Sequence, residues 1–409
     1  MNRAMNRRRF AQLLGAGAAY AAAAPHLSLA KPLAAVSPLS AKSADSVIRL
    51  NSNENPYGPS PKALKAMTKA FGLAWRYPDE HTDMLIELLA TTNGVDREQI
   101  LLGDGSGEIL KLCAAAFTGP AAKSDSDRAI TLARPTRGSS PSFTMGRGKL
   151  VVADPTFEAV LSHAAVNGAE VVKVPLTSSF AHDLTQMMAL ASEGLVYVCN
   201  PNNPTASITP KNELRDFIAT CPSQTMILVD EAYHHYADSP DYESVIPLVK
   251  QHPNLIVART FSKIYGMAGL RCGYCVAQAE TIQRLRPHQT WDSINIMALA
   301  AAIASLNDPE QVSKGWRLNR ETKAMLSGEL EKMGYKHIPS QANFMMIDVK
   351  QPVPPLIAGL RKRGVQVGRL FPALPQHMRV TIGKKSEMKT FLSAFREVVQ
   401  STDQPTNAN

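Results

Sequence analysis

Short β-branched runs alternate with amphipathic stretches through the middle of the chain. This alternation is typical of an α/β protein with a mainly parallel sheet. The predicted strands are VVADP (151–155), EVVKVPL (170–176), GLVYVCNP (194–201), TMILVDEAY (225–233) and NLIVART (254–260). The predicted helices are DMLIELLATT, EILKLCAAAF, EAVLSHAAV and KNELRDFIATC. We therefore expect a large α/β domain whose mainly parallel central sheet is sandwiched by helices.

The pattern changes after about residue 296, where the helical stretches ALAAAIASL and NRETKAMLSGELEKMG begin. Short strands, NFMMIDV and MRVTIG, follow them, and a last helix is predicted near 386–399. The predicted organisation is an N-terminal arm with part of a small domain, a large domain, the small α/β domain and a flexible tail; these cover 47–75, 76–295, 296–400 and 401–409.

Residues 120–148 interrupt the alternation with a polar, basic segment rich in Gly, Pro and Ser. A short connection would normally suffice at this place, so we predict an inserted surface loop. The sequence leaves open whether this loop lies at the mouth of an active site.

The first thirty residues have the three parts of a secretory signal, which are a basic stretch, an apolar run over 13–24 and small residues near position 30. Arg7-Arg8-Arg9-Phe10 resembles the twin-arginine export pattern. An uncleaved membrane anchor is the alternative, but the apolar run is short for a span. We predict a signal peptide over 1–30, a linker over 31–46, a periplasmic or exported protein and no stable membrane span.

Composition allows a large core, because 44% of the 409 residues are hydrophobic. The formal net charge is +9, but four of the arginines lie in the first thirty residues, which contain no acid. The remaining chain is mildly basic and has no basic run interleaved with aromatic residues, so nucleic-acid binding is not expected. A mild positive charge fits anionic small molecules.

The five cysteines include one CxxC pair, Cys272 and Cys275. No second pair is present to complete a zinc site, so we expect no metal. The alternative interpretation is that both cysteines are small buried residues on a strand.

Two features at the ends of predicted elements carry possible chemistry. Asp230 ends a buried strand, where a carboxylate needs a cation, a metal or a protonated ring nitrogen, and a structural salt bridge would also serve. Gly103, Gly105 and Gly107 surround Ser106 and open a helix. Backbone amides at a helix N-terminus can bind an anion, although such a turn can also merely redirect the chain.

The segment TFSKIYGMAGLRCGY (260–274) places Lys263 among hydroxyl residues and Arg271 eight positions later. Thr260 and Ser262 could donate to a phosphate, and Arg271 could pair with it through two N–H groups. A lysine near cations and apolar groups has a lowered pKa and can form a Schiff base. Pyridoxal phosphate has an aldehyde, a ring nitrogen and a phosphate, so it would use all of these groups together.

The order of the motifs GDGSG, DPTF, NPNNPT, DEAY and SK, with an arginine eight residues after the lysine, resembles the fold-type I pyridoxal-phosphate aminotransferases. The histidinol-phosphate aminotransferase branch is the most similar, since LNSNENPYGPSP (50–61) and RYP (76–78) also look like that branch. The resemblance spans roughly 48–400. It implies a large cofactor-binding domain and a smaller α/β domain. The twin-arginine signal predicts that the enzyme is exported folded, with its cofactor bound.

The resemblance implies a role for each matching residue around the cofactor ring. Lys263 would hold the internal aldimine, and Asp230 would pair with the pyridine N–H. Tyr233 and Asn203 would contact the ring hydroxyl, and Phe157 would stack on the ring.

The resemblance also implies a phosphate site and a dimer. The residues that would hold the phosphate are Gly105, Ser106, Gly107, Ser262 and Arg271. Tyr77 would reach the phosphate from the partner subunit of a homodimer.

On the substrate side, the resemblance implies that Arg379 binds the α-carboxylate and that Asn55 and Tyr57 edge the pocket. The implied reaction moves an amino group from an amino acid, or an amine derived from one, to a 2-oxo acid, with Lys263 carrying out a 1,3-proton shift. A decarboxylase or lyase of the same fold, similar to threonine-phosphate decarboxylase, is the alternative. A fold retained for binding without turnover is a third. His234 and His235 are interpreted as packing or surface residues.

The sequence departs from the branch at several positions. Ala206 stands where the branch usually has Gly, which we expect to be tolerated if the backbone there is not left-handed. Gly107 stands where an acid is usual, and RPHQTWDSIN (286–295) replaces a different substrate-side motif. We therefore predict an aminotransferase without assigning histidinol phosphate as its substrate.

Overall fold

A computed structural model describes residues 47–120 and 146–402. The predicted signal peptide (1–30) and linker (31–46) lie outside the described residues. So do positions 121–145 of the predicted insertion and 403–409 of the predicted tail. From Ile48 onward the chain forms one compact unit.

Seven strands form the central sheet, in the order β2-β8-β7-β6-β5-β3-β4. Their bounds are β2 Ile100–Gly103, β3 Lys149–Asp154, β4 Val171–Pro175, β5 Gly194–Cys199, β6 Thr225–Asp230, β7 Leu255–Thr260 and β8 Gly273–Ala277. The strands β3 to β7 pair in parallel, and β8 is antiparallel to both β7 and β2. The predicted mainly parallel sheet is confirmed. Every residue of β5 and β6 is buried, as the continuous apolar runs indicate.

Helices cover both faces of this sheet and enclose two hydrophobic cores. Their bounds are Pro61–Ala70, Asp79–Asn93, Gly105–Phe117, Ala159–Val166, Leu184–Leu190, Lys211–Thr220, Ala279–Leu285 and Ile296–Leu306. Local sequence sets several ends. Ser60 caps the first helix through the amide of Ala63, and Gly94, at φ 65°, ends the second in a left-handed conformation.

A smaller set of elements follows toward the C-terminus. A three-stranded antiparallel sheet has β10 (Phe344–Asp348) between β9 (Lys336–His337) and β12 (His377–Thr381). The helices Pro309–Lys332, Val353–Lys362 and Lys385–Thr402 accompany it. Near the N-terminus, β1 (Ile48–Leu50) pairs in parallel with β11 (Val365–Val367), which brings the start of the predicted arm to this region. The predicted domain boundaries remain predictions.

The carboxyl ends of the parallel strands position the chemistry. The strands β5, β6 and β7 end at Cys199, Asp230 and Thr260, and because they are parallel, the segments that follow them emerge at one edge of the sheet. Ligands of open α/β sheets bind at this edge. Within 47–120 and 146–402, no helix has the length and apolar character that crossing a bilayer requires.

Candidate active site

Lys263 lies in the segment after β7, beside the N-terminal arm. Its Nζ donates to the carbonyl oxygens of Asn53, at 3.1 Å, and Ser52, at 3.4 Å, and lies 5.6 Å from the centroid of the Tyr233 ring. Desolvation of the amine is the main cause that lowers the pKa of Lys263 to about 8, and the positive charge of Arg379 contributes to the same shift. An amine with this pKa is partly neutral near physiological pH, as a nucleophile or base must be.

We predict that this lowered pKa makes the stability of the apoenzyme depend on pH. Between pH 8 and pH 10.5 the folded state binds fewer protons at Lys263 than the unfolded state, so the free energy of unfolding rises with pH over this interval. Over this interval, the free energy of unfolding of the wild type should rise by roughly 3 kcal/mol relative to that of a Lys263→Met variant. Urea unfolding of both apoproteins across this range measures the difference. Parallel pH profiles would contradict the assignment.

Asp230 is buried at the end of β6. Its Oδ2 accepts a hydrogen bond of 3.0 Å from the Tyr197 hydroxyl, and its Oδ1 accepts one of 3.1 Å from the Ala232 amide. Burial raises the pKa of Asp230 to about 6, and these two hydrogen bonds and the charge of Lys263 oppose that rise. No cation of the described residues forms an ion pair with it. The structure therefore does not support the salt-bridge alternative, and the carboxylate can still pair with a protonated ring nitrogen.

Tyr233 joins the site through two asparagine side chains. Its hydroxyl accepts hydrogen bonds from Nδ2 of Asn53, at 3.1 Å, and Nδ2 of Asn203, at 3.4 Å. Sequence reasoning missed Asn53, which is buried, has a φ of 55° and also supplies the carbonyl that meets Lys263. Its position in the motif LNSNENPYGPSP, close to the predicted Asn55, was the signal that could have revealed it.

Arg379 lies on β12 and is buried against this network. Its Nη1 donates to Oδ1 of Asn203, and its Nη2 donates to the carbonyl oxygen of Asn51, both at 2.7 Å. Burial lowers the pKa of Arg379. Its Nε has no hydrogen-bond partner within the part of the chain that the structure describes. A buried guanidinium with a free donor suits an anionic substrate group.

A second anion site, here called the anion cradle, consists of Gly105, Ser106, Gly107, Ser262 and Arg271. Gly105, at φ 71°, begins the helix Gly105–Phe117, and Ser106 and Gly107 continue its first turn. The Arg271 guanidinium donates to Oγ of Ser262 at 3.4 Å and to the Asp104 carbonyl at 3.2 Å. A helix N-terminus and a guanidinium thus meet, and both favour a phosphate.

We predict that Gly105→Ala weakens cofactor binding. A Cβ at this position would lie 2.8 Å from Cζ of Arg271, in a backbone conformation that alanine resists. Displacing the guanidinium should raise the Kd of the apoenzyme for pyridoxal phosphate at least about 10-fold. A fluorescence titration measures this. Gly328→Ala, where a Cβ has open space around it, is the control, and equal affinities in the two variants would refute the steric argument.

The remaining predicted residues are Asn55, Tyr57, Phe157 and Tyr77. Asn55 makes hydrogen bonds within the same chain, whereas the side chains of Phe157 and Tyr77 are exposed. Asn55 donates from Nδ2 to the carbonyl of Ile264 at 2.8 Å, which holds the arm beside Lys263, and its Oδ1 accepts from the Tyr57 amide at 3.1 Å. Phe157 follows β3 with 39% of its surface exposed. Tyr77 is 79% exposed, and in the described residues its hydroxyl has no hydrogen bond.

The backbone at Ala206 differs from our expectation. Its φ is 60°, which is left-handed, so the condition on which we expected the alanine to be tolerated is not met. The conformation is held by backbone hydrogen bonds of 2.8 Å from Ala206 to Asn202 and from Gln341 to Ala206. Its side chain is completely buried in the core, and that burial offsets part of the strain.

The buried histidines and cysteines have structural surroundings. His234 and His235 lie against Tyr242 and Tyr265, and burial lowers the pKa of both, so they are neutral packing residues as expected. All five cysteines are buried free thiols, and Cys275 lies on β8. In the described part of the chain, no group of His, Cys, Asp and Glu could hold a metal ion.

Sequence reasoning also missed a buried ion pair next to Asp230. Arg259 donates from Nη2 and Nε to Oε2 of Glu231, at 2.8 and 2.9 Å. The other carboxylate oxygen accepts from the Val245 amide at 2.8 Å, and Ser244 donates to Oε2 at 2.8 Å. The pair therefore fixes the chain directly after β6, between Asp230 and Tyr233.

Comparison with known proteins matches residues 45–395 to the family model "Aminotransferase class I and II". The chain belongs to this family. The predicted enzyme class, fold and cofactor are thereby confirmed: it is a pyridoxal-phosphate-dependent aminotransferase, EC 2.6.1.-. The family implies an amino substrate and a 2-oxo acid, and its members are typically dimers.

Individual relatives agree with this placement in the family. The aminotransferase is 37% identical over 358 residues to a histidinol-phosphate aminotransferase of Moorella thermoacetica, with 86% of each chain covered. It is 35% identical to one of Symbiobacterium thermophilum, covering 86% of this chain and 90% of the relative. A crystal structure of the Sinorhizobium meliloti histidinol-phosphate aminotransferase in complex with pyridoxal-5'-phosphate is 25% identical, with a TM-score of 0.76, covering 87% and 91% of the two chains.

Proposed function

We propose that this aminotransferase moves the amino group of an amino acid, or of an amine derived from one, to a 2-oxo acid, with Lys263 as the base and Arg379 as the carboxylate-binding residue. The proposal rests on one observation, which is that Lys263 and Arg379 belong to one network of neighbouring side chains. Asn203 contacts both Arg379 and the Tyr233 hydroxyl, and the Lys263 amine lies 5.6 Å from the Tyr233 ring centroid.

The described residues fit the cofactor. The anion cradle suits its phosphate, the buried Asp230 its ring nitrogen, Asn203 and Tyr233 its ring hydroxyl, and the Lys263 amine its aldehyde. Phe157 would cover one face of the ring. When bound, pyridoxal phosphate withdraws electrons from the carbon that bears the substrate's amino group.

The protein groups supply orientation and proton transfer. Nε of Arg379, which has no hydrogen-bond partner among the described residues, can donate to a carboxylate, while Asn203 and the Asn51 carbonyl hold the guanidinium in place. A fixed carboxylate fixes which bond of the neighbouring carbon faces the reacting centre. The lowered pKa of Lys263 leaves part of its amine neutral, so it can remove a proton there and return it.

A screen of amino donors, histidinol phosphate among them, against 2-oxoglutarate and pyruvate tests this function. Chromatography should show a new 2-oxo compound or aldehyde and an equal amount of the amino acid formed from the acceptor. In Arg379→Lys, the KM for the acceptor should rise about 10-fold to 100-fold, because the planar fork is lost. Arg363→Gln, on an exposed ion pair, is the control. Release of CO₂ without amino transfer would favour the decarboxylase alternative.

We propose further that the active unit is a homodimer to which Tyr77 contributes across the interface. Exposed apolar side chains concentrate in one stretch of the chain, consisting of Leu64, Phe71, Leu73, Trp75, Tyr77 and Met84. A surface this apolar is typical of an interface. Sedimentation should give a dimer for the wild type and a monomer for Trp75→Glu. Tyr77→Phe should remain dimeric but bind the cofactor several-fold more weakly, and unchanged affinity would refute its role.

We propose that the enzyme is exported, folded with its cofactor, by the twin-arginine machinery. The support is the sequence of the first thirty residues. Replacing Arg7 and Arg8 with lysine should retain the protein in the cytoplasm, which fractionation of cells that express the full chain measures. Unchanged periplasmic delivery would refute the assignment.

A further inference from the structure

Tyr197 contacts the functional carboxylate from inside the sheet. It lies on β5, whose register against β6 sets Tyr197 opposite Leu228 and Cys199 opposite Asp230. Its hydroxyl donates to Oδ2 of Asp230 at 3.0 Å, and its side chain is completely buried. A rigid pair of strands, rather than a loop, therefore delivers this hydroxyl.

We propose that Tyr197 is a positioning residue, whose hydroxyl holds the Asp230 carboxylate in the orientation and the ionised form that a protonated cofactor ring nitrogen requires. The inference rests on the role proposed above for Asp230. It adds a residue that none of the sequence motifs singled out.

The orientation of the Asp230 carboxylate depends on the few groups that donate hydrogen bonds to it. Among the described residues, the two donors to the carboxylate are the Tyr197 hydroxyl and the Ala232 amide, one to each oxygen. Without the hydroxyl, one backbone N–H would remain to orient a buried carboxylate. Hydrogen bonds to charged groups contribute more than those between neutral groups, so the loss is large.

The surroundings of Tyr197 keep its hydroxyl protonated, so that it remains a hydrogen-bond donor. Burial raises the pKa of Tyr197 well above its ordinary value, and the charge of Asp230 raises it further. The other titratable groups near Asp230 are Lys263, Glu231, Tyr233, Tyr242 and Cys199. The positive charge of Lys263 lowers the pKa of Asp230, and the negative charge of Glu231 raises it. The hydrogen bond from Tyr197 also lowers this pKa, so it adds to the effect of Lys263 and opposes that of Glu231.

Tyr197→Phe tests the inference, because it removes the hydroxyl and keeps the ring. The Kd of the apoenzyme for pyridoxal phosphate should rise about 10-fold. In an Asp230→Asn background the same substitution should change the Kd less than about two-fold, because the coupling between the two residues is lost. Tyr274→Phe is the control. Tyr274 is also a buried tyrosine on a strand, but its hydroxyl accepts a hydrogen bond of 3.5 Å from Nδ2 of Asn93, so this variant should bind the cofactor normally.

A second measurement does not depend on the cofactor. The pKa of Asp230 is raised from 3.8 to about 6, so the folded apoenzyme binds more protons than the unfolded chain over this interval, and its stability falls as pH rises through it. In Tyr197→Phe this fall should extend to higher pH. In Asp230→Asn it should disappear. Thermal unfolding at a series of pH values records both effects, and packing alone would not move them.

These measurements distinguish a failure of the role of Tyr197 from a failure of the role of Asp230. If Tyr197→Phe weakens binding equally in the Asp230→Asn background, Tyr197 acts through packing and the inference fails. If Asp230→Asn weakens binding while Tyr197→Phe does not, the inference alone fails. If Asp230→Asn binds the cofactor normally, the role proposed for Asp230 falls, and the inference falls with it.

Discussion

Lys263→Ala should lower kcat about 10⁴-fold or more, measured with saturating amino donor and 2-oxo acid. The substitution removes both the amine that would bind the cofactor's aldehyde and the base, and a positioned base alone contributes about 10²-fold to 10⁴-fold. The fold should survive, because the amine is desolvated and its loss relieves a cost of burial. Activity above about a tenth of the wild type would refute its role.

Lys323→Ala is the matched control for this experiment. Burial lowers the pKa of Lys323 to about 8, the same value as for Lys263, but its amine donates to the carbonyl oxygens of Ser340 and Ala342. Both lysines therefore share a lowered pKa and two backbone carbonyl acceptors, but the charges near Lys263 are Arg379, Glu54, Asp230 and Arg271, and those near Lys323 are Asp238 and Arg320. Retained kcat in Lys323→Ala would show that position, not pKa, makes Lys263 functional. Added methylamine should partly restore turnover in Lys263→Ala, since a small amine can replace the missing base.

Glu231→Ala should lower the free energy of unfolding by about 3–5 kcal/mol. It leaves Arg259, whose side chain is 11% exposed, without its counter-ion, and removing one partner of a buried ion pair costs this much. The Val245 amide and the Ser244 hydroxyl also lose their acceptor. Urea unfolding of the apoprotein measures the effect, since a bound cofactor would add its own, variant-dependent stabilisation. Cofactor affinity should fall as well, because Glu231 anchors the segment that carries Asp230.

Two variants make this measurement specific. Glu329→Ala breaks exposed ion pairs with Lys332 and Arg396 and should lower the stability far less than Glu231→Ala does, because solvent screens exposed pairs. The double variant Glu231→Met/Arg259→Met replaces both charges with apolar groups and should recover most of the lost stability. A loss below about 1 kcal/mol in Glu231→Ala would show that the pair contributes little.

The sequence predicted the central fold well because the signals are local. Apolar runs that end at Asp230 and Thr260 mark strands buried on both faces, and these strands form with boundaries within a few residues of the prediction. The strand β2 and the helices Pro61–Ala70, Leu184–Leu190, Ala279–Leu285 and Val353–Lys362 were not predicted. Each is short, and Leu184–Leu190 relies on a single capping residue, Asp183, and a few buried side chains.

By itself, the sequence determined the fold class, the family and the central candidates Lys263, Asp230 and Arg271, because each follows a strand or opens a turn in a local motif. Only the tertiary structure decided that Asn53 bonds to Tyr233, 180 residues away, and Arg379 to Asn203, 176 residues away. It also decided the left-handed backbone of Ala206 and the burial of Glu231 with Arg259. Such contacts depend on the register of the sheet and the packing of distant segments, which no local pattern encodes.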